Sequence, residues 1–217
     1  MRHNVVASAG AVGLLQVLWK PVTIVPSRSL MNIANILTGL RILAIPLVVL
    51  LFFLPYSWSH MAAGLMFAAA GITDSLDGYY ARKYGLITPL GAFLDPVADK
   101  LIVAVALVLI VHDNHTWWMT VTAAVIIGRE IAISALREWM AEIGARRKVA
   151  VSSIGKFKTI LQIVGLSMLL YREDIWFIPI YPLGVALTVL AAVLTLWSMV
   201  AYLRAAWPDL TSQGESA

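Results

Sequence analysis

Residues Thr73–Lys100 read TDSLDGYYARKYGLITPLGAFLDPVADK, with long apolar runs on both sides. The stretch holds Asp74, Asp77, Asp95 and Asp99, four of the twelve acidic residues in the chain. Helical spacing places Asp74 and Asp77 on one helix face, and Asp95 and Asp99 on one face of a second helix. A carboxylate at bilayer depth costs about 2.5–3.5 kcal/mol on insertion scales, so intramembrane acids line a site and have a partner. The only bases within the stretch are Arg82, Lys83 and Lys100. Clustered carboxylates repel unless cations lie between them. Oxygen ligands with no local Cys or His favour Mg²⁺ or Mn²⁺ over Zn²⁺. Two helices joined by a hairpin, each offering two carboxylates, suit a pair of such ions.

Composition sets the surroundings of this stretch. Charged residues make up 13% and hydrophobic residues 60% of the 217, against about 25% and 45–50% in soluble domains. That excludes a soluble globular protein. The absence of Cys removes disulfides, thiol nucleophiles and thiolate metal sites. The net charge of +4 is not gathered into a soluble basic face, so nucleic acid is not expected as a partner.

The fold expected is all-α: a polytopic membrane protein with six transmembrane helices and an N-terminal interfacial helix. Residues 1–30 are expected to be an extension produced by an early start, with Met31 the natural initiator. Val5–Trp19 is too short to span comfortably, and Pro21 and Pro26 end any helix. The segment MNIANILTGLRIL, from Met31, reads as an interfacial helix leading into a first span near Arg41–Leu54. Further spans are expected over Met61–Ile72 and onward through Asp74 and Asp77, then Asp95–Val111, Trp117–Leu136, Ile154–Tyr171 and Leu183–Leu203. A membrane domain over 31–207 and a polar tail over 208–217 complete the division. Trp58, Trp117, Trp118, Trp176 and Trp207 fall near span ends, as an interfacial aromatic belt requires.

Loop charges orient these spans. Loops 55–60 and 112–116 have no Lys or Arg, and 172–182 has only Arg172. The opposite loops carry Arg82, Lys83, Arg137, Arg146, Arg147, Lys148, Lys156 and Lys158. The positive-inside rule then puts both ends of the domain, and the aspartates, on the cytoplasmic side.

Around the aspartates, Gly78 and Ala81 leave a helix face open to a ligand, and Arg82 offers a planar fork to a phosphate. Pro89 and Gly91 suit a turn between the two helices. Taken alone, Asp95 before Pro96 also reads as the N-cap of the third helix, and Asp74 or Asp77 alone as polar glue between helices. No packing argument requires all eight positions of D-x₂-D-G-x₂-A-R-x₈-G-x₃-D-x₃-D together.

That pattern, Asp74, Asp77, Gly78, Ala81, Arg82, Gly91, Asp95 and Asp99, resembles the signature of the CDP-alcohol phosphatidyltransferases at every position and spacing. The segments NIANILTGLRILAIP, GAFLDPVADK, REIAISALREWMAE and LTLWSMVAYL extend the resemblance over Met31–Leu203. They are similar to the bacterial branch whose acceptor is glycerol 3-phosphate. The resemblance implies transfer of the phosphatidyl group from CDP-diacylglycerol to glycerol 3-phosphate, giving phosphatidylglycerol phosphate and CMP. It implies two Mg²⁺ or Mn²⁺ ions per site, one held by Asp74, Asp77 and Asp95, the other by Asp74, Asp95 and Asp99. Asp99 would also be the general base. Gly78, Ala81, Arg82, Thr88, Asn35 and Thr38 would line the CDP-diacylglycerol pocket. A homodimer in the bacterial inner membrane, with its active site facing the cytoplasm, is likewise implied.

The acceptor brings a phosphate, so cations are expected beside the metals. Arg129 lies well inside the fourth span, where an arginine facing lipid is disfavoured, and Arg137 follows about two turns on. Arg129, Arg137 and Lys156 are the acceptor-phosphate residues expected, with a pair between Arg129 and either Glu130 or a motif aspartate as the alternative. A sibling enzyme using serine or inositol phosphate shares the metal block. A divalent-cation transporter would instead spread its acids through the membrane depth, and here they cluster toward one side.

Overall fold

Long apolar runs joined by short polar links dictate helices, because a backbone without water must satisfy its own N–H and C=O groups. A computed structural model describes residues 33–84, 89–144 and 153–212, with side chains described at 36–74, 91, 93–144 and 157–207. The described residues form six helices: α1 Ile33–Phe53, α2 Ser59–Tyr84, α3 Pro89–Asp113, α4 Trp117–Glu142, α5 Ser153–Tyr171 and α6 Ile180–Ser212. Among the described residues the only extended pairing is an isolated bridge between Ile175 and Ile178. Among the described residues three segments, Ile36–Phe53, Trp117–Glu142 and Ile180–Trp207, are long and apolar enough to cross a bilayer. The expected extension at 1–30 lies outside the described residues.

Three boundaries differ from the sequence expectation. Asn35–Arg41 is continuous with the first span, since α1 runs unbroken from Ile33 and accommodates Pro46 inside it. α3 begins at Pro89, so Pro89 and Gly91 lie in the helix and form no turn. Proline suits the first helical position, where the N–H has no intrahelical acceptor. Asp95 therefore does not cap a helix, and Pro96 sits inside α3. Finally, α6 reaches Ser212, so the first part of the tail expected at 208–217 is helical.

Helix α1 packs on both α2 and α3; α5 packs on α2, α3 and α6; and α4 packs on α3 and α6. The main core gathers Val48, Phe67, Leu107, Met119, Ile126 and Leu166 from five helices. Glycines set the closest approaches. A Cβ at Gly64 would lie 2.7 Å from the Tyr171 backbone nitrogen, and one at Gly165 would lie 2.6 Å from Thr188 Oγ1. One at Gly184 would lie 2.8 Å from Met168 Cβ. Bare backbone at these three points lets α5 nest between α2 and α6, as small residues do in membrane bundles.

The chain order separates two polar ends. The starts of α1, α3 and α5 meet the later turns of α2 and the middle of α4 and α6, where Thr38, Arg41, Asp74, Asp95, Asp99, Arg129, Lys158 and Ser198 make their contacts. At the other end, Arg172 after α5 meets Asp113 of α3 and His60 of α2.

Candidate active site

The acidic end is built on α1. Thr38 and Arg41 are three residues apart, so both project from one face of that helix. Arg41 is buried, with its side chain 2% exposed. Its Nη2 lies 2.8 Å from Asp74 Oδ1 on α2, and its Nη1 donates to Asp99 Oδ1 on α3 at 2.7 Å. The Thr38 hydroxyl donates to Asp95 Oδ1 at 2.5 Å. One helix face thus holds three carboxylates from two other helices. The carboxylates stay accessible, at 37% for Asp74 and 42% for Asp99. Asp99 is also within hydrogen-bonding reach of Asp74 and close enough to Asp95 to feel its charge.

Arg41 is the residue that sequence reasoning missed. Arg41 lies more than thirty residues before the aspartate stretch. The available signal was a lone arginine in an apolar run, one turn after Thr38.

Three carboxyl groups and one guanidinium make up this described cluster. The all-oxygen donor set suits a hard divalent cation. Among the described residues no three acidic or imidazole groups meet as a closed ligand cage. The side chains of Asp77, Gly78, Ala81 and Arg82 lie outside the described set, as do those of Asn35 and Lys156 and the whole of Thr88.

Beside the carboxylates a cavity of about 680 Å³ opens between α3, α4 and α5, within the size range of small-molecule sites. Asp95 and Asp99 line it on one side, and Arg129 and Arg137 on the other. Arg129 and Arg137, two of the three cations expected from the sequence, therefore lie at the acidic end. Arg129 is nearly enclosed. It pairs with Glu130 at 2.5 Å, and its Nη2 donates to Ser198 Oγ at 3.1 Å. The Arg129–Glu130 alternative and the cavity placement thus both hold. Arg137 stacks over the Tyr202 ring, its guanidinium carbon 5.4 Å from the ring centre.

A second cation was not assigned from the sequence. Lys158 is buried and donates from Nζ to the same Ser198 hydroxyl at 3.2 Å, which in turn donates to the Thr195 carbonyl at 2.9 Å. Two buried cations therefore share one neutral acceptor. Of the two, Arg129 also has the Glu130 carboxylate as its counter-charge.

The chain matches the family model for CDP-alcohol phosphatidyltransferase over residues 31–197. It belongs to that family. Relatives in Shigella flexneri serotype 5b (strain 8401), Shigella boydii serotype 4 (strain Sb227) and Escherichia coli (strain K12) are each 54% identical over 182 residues. The matched region covers 84% of this chain and 98% of each relative. Each is named CDP-diacylglycerol–glycerol-3-phosphate 3-phosphatidyltransferase. In this CDP-alcohol phosphatidyltransferase, then, the acidic cluster and the cationic cavity wall lie at the same end of the bundle.

Proposed function

We propose that this protein transfers the phosphatidyl group of CDP-diacylglycerol to sn-glycerol 3-phosphate, forming phosphatidylglycerol phosphate and CMP. The observation that carries this reading is one cavity bounded by Asp95 and Asp99 on one side and Arg129 and Arg137 on the other. The names and full-length similarity of the relatives support it.

In this reading Asp74, Asp77 and Asp95 hold one divalent ion, Mg²⁺ or Mn²⁺, and Asp74, Asp95 and Asp99 hold a second. When bound, two such ions stabilise the charge on the entering and leaving oxygens of a phosphoryl transfer. Arg41 and Thr38 fix the spacing of the carboxylates. Asp99 accepts the proton of the acceptor's 1-hydroxyl, as a positioned carboxylate can. That oxygen then bonds to the β-phosphorus, the bond from β-phosphorus to the bridging oxygen breaks, and CMP departs with the bridging oxygen. Gly78, Ala81, Arg82, Thr88, Asn35 and Thr38 bind the CDP moiety. Arg129, Arg137 and Lys156 bind the acceptor phosphate, with Lys158 and Ser198 holding Arg129 in place. A cationic wall favours a phosphorylated acceptor over serine, which carries no net charge.

The same reading makes the chain a six-span homodimer of the bacterial inner membrane with its cavity toward the cytoplasm. Three membrane-competent helices support this. So does the gathering of Arg129, Arg137 and Lys158 at the acidic end, while the opposite loops are poor in bases.

The test is CMP release by purified protein given CDP-diacylglycerol, Mg²⁺ and one acceptor at a time. Glycerol 3-phosphate alone should drive release. Both EDTA and Asp99→Asn should lower it by about 10³-fold or more, since loss of a general base alone costs about 10²–10⁴. Faster release with serine or inositol phosphate would sink the acceptor assignment. No release with any acceptor from folded protein would sink the enzyme reading.

A further inference from the structure

At the end away from the aspartates, the link between α5 and α6 is a tight aromatic hairpin. Ile175 and Ile178 pair through two backbone hydrogen bonds, 3.3 Å from the Ile175 N–H and 3.0 Å from the Ile178 N–H. Trp176 and Phe177 form its tip, 91% and 94% exposed, with rings edge to face at 6.5 Å. Trp176 has φ +56° and Arg172 has φ +66°. A bulky residue in this left-handed region is strained, and such strain persists only where the surroundings enforce it.

The surroundings do so here. Arg172, at the base of the hairpin, ion-pairs with Asp113 and lies 3.2 Å from His60 Nε2. Asp174 accepts from the Ile180 N–H at 3.0 Å, tying the other leg to the first turn of α6. The apolar tip is thus held rigidly out from the bundle, with Arg172, Glu173 and Asp174 at its root.

Its level along the bundle identifies what it meets. Helix α5 has 19 residues, so Tyr171 lies about 27 Å from Ser153 along the axis, close to the roughly 30 Å of bilayer hydrocarbon. Tyr56, Trp58 and Trp117 are also exposed at this end, with Tyr56 and Trp58 stacked at 5.6 Å. Exposed aromatic rings at one level of a membrane bundle belong at the boundary between headgroups and acyl chains, where one part of the ring is wet and the other dry.

We propose that the Ile175–Ile178 hairpin is a rigid wedge that seats Trp176 and Phe177 in the lipid leaflet facing away from the active site. It anchors the α5–α6 pair at a fixed depth. The occupant is lipid, and the three charged residues at the root stay at headgroup level. The inference rests on the chain being membrane-embedded and is independent of which acceptor it uses.

The chain has no cysteine, so Trp176→Cys, Phe177→Cys and, as the reference, Glu173→Cys each give a unique site for a nitroxide label. The labelled proteins are placed in phosphatidylethanolamine–phosphatidylglycerol vesicles, and relaxation by oxygen is compared with relaxation by a water-soluble nickel chelate. The expected result is oxygen-dominated relaxation at 176 and 177 and nickel-dominated relaxation at 173. Nickel-dominated relaxation at the tip would overturn the proposal, and so would exclusion of both reagents, which would mean a second copy of the chain covers it. The double substitution Trp176→Ser with Phe177→Ser gives a second reading. Its unfolding midpoint should fall by a few degrees in vesicles and stay unchanged in detergent, with CMP release retained. An equal fall in both media would mean the tip serves only internal packing.

Discussion

Each end of the bundle ties an arginine to aspartate, and the two ties differ in depth and in purpose. Arg41 is enclosed, and it bridges carboxylates from two helices that remain open to the cavity. Arg172 has a side chain 36% exposed and pairs with Asp113 and His60 at a loop base. An enclosed charge with accessible partners suits a site whose acids must be held apart yet stay reachable. A half-exposed charge in water contributes little beyond fixing the direction of a loop. Identical chemical groups therefore do different work according to which partner is buried.

The sharpest way to break this contrast is at Arg41. Arg41→Met should destabilise the detergent-solubilised protein by about 2–3 kcal/mol, somewhat below the 3–5 kcal/mol typical when a fully buried pair is broken. Thermal unfolding measures this, and CMP release should be lost as well. Arg41→Lys should recover only part of either quantity, because an ammonium is a point charge and not a planar fork. Mn²⁺ binding followed by electron paramagnetic resonance should weaken in both variants if Arg41 sets carboxylate spacing.

Ser198→Ala comes next in size. It removes the acceptor shared by Arg129 and Lys158, an effect of about 1–3 kcal/mol for a buried unsatisfied group. The KM for glycerol 3-phosphate should rise about tenfold while that for CDP-diacylglycerol stays put. Steady-state kinetics with each substrate varied in turn separates the two. Arg172→Gln, at the other end, should cost under about 1 kcal/mol and leave CMP release unchanged. A loss comparable with that of Arg41→Met would erase the distinction between the ends.

The smallest effect is one of pH. Burial, then the Arg172 guanidinium, holds the His60 imidazole below its ordinary value of 6.5, against the pull of Asp113 and Glu173. The unfolded chain therefore binds the proton more readily. Stability is full above 6.5 and declines as pH falls through that value toward the folded one. His60→Asn should flatten this part of a stability–pH profile recorded by thermal unfolding.

The sequence made the acidic stretch legible because carboxylates in an apolar run have so few innocent explanations. Asp95 and Asp99 do come together with Arg129 and Arg137 at one cavity. What escaped was contact at long range. Nothing local marks Arg41 as the partner of Asp74 and Asp99, since the pairing depends on α1 packing against both α2 and α3. The start of α3 was misplaced because Pro96 carries the same local signal as Pro89, and a membrane helix tolerates proline inside it. Nothing local marks Lys158 as buried, because the sequence does not say which face of α5 is inward. The hairpin at Ile175–Ile178 lay within a segment too short to read as more than a connection.

The three glycines that let α5 nest between α2 and α6 have a bearing on how this protein tolerates change. At Gly64 and Gly165 a single added carbon meets backbone atoms within 3 Å, and backbone cannot step aside as a flexible side chain can. The chain is thus as vulnerable to the smallest possible substitution in its scaffold half as to loss of an aspartate in its chemical half. A screen for inactive variants should return both groups, and only their abundance in the membrane will tell them apart.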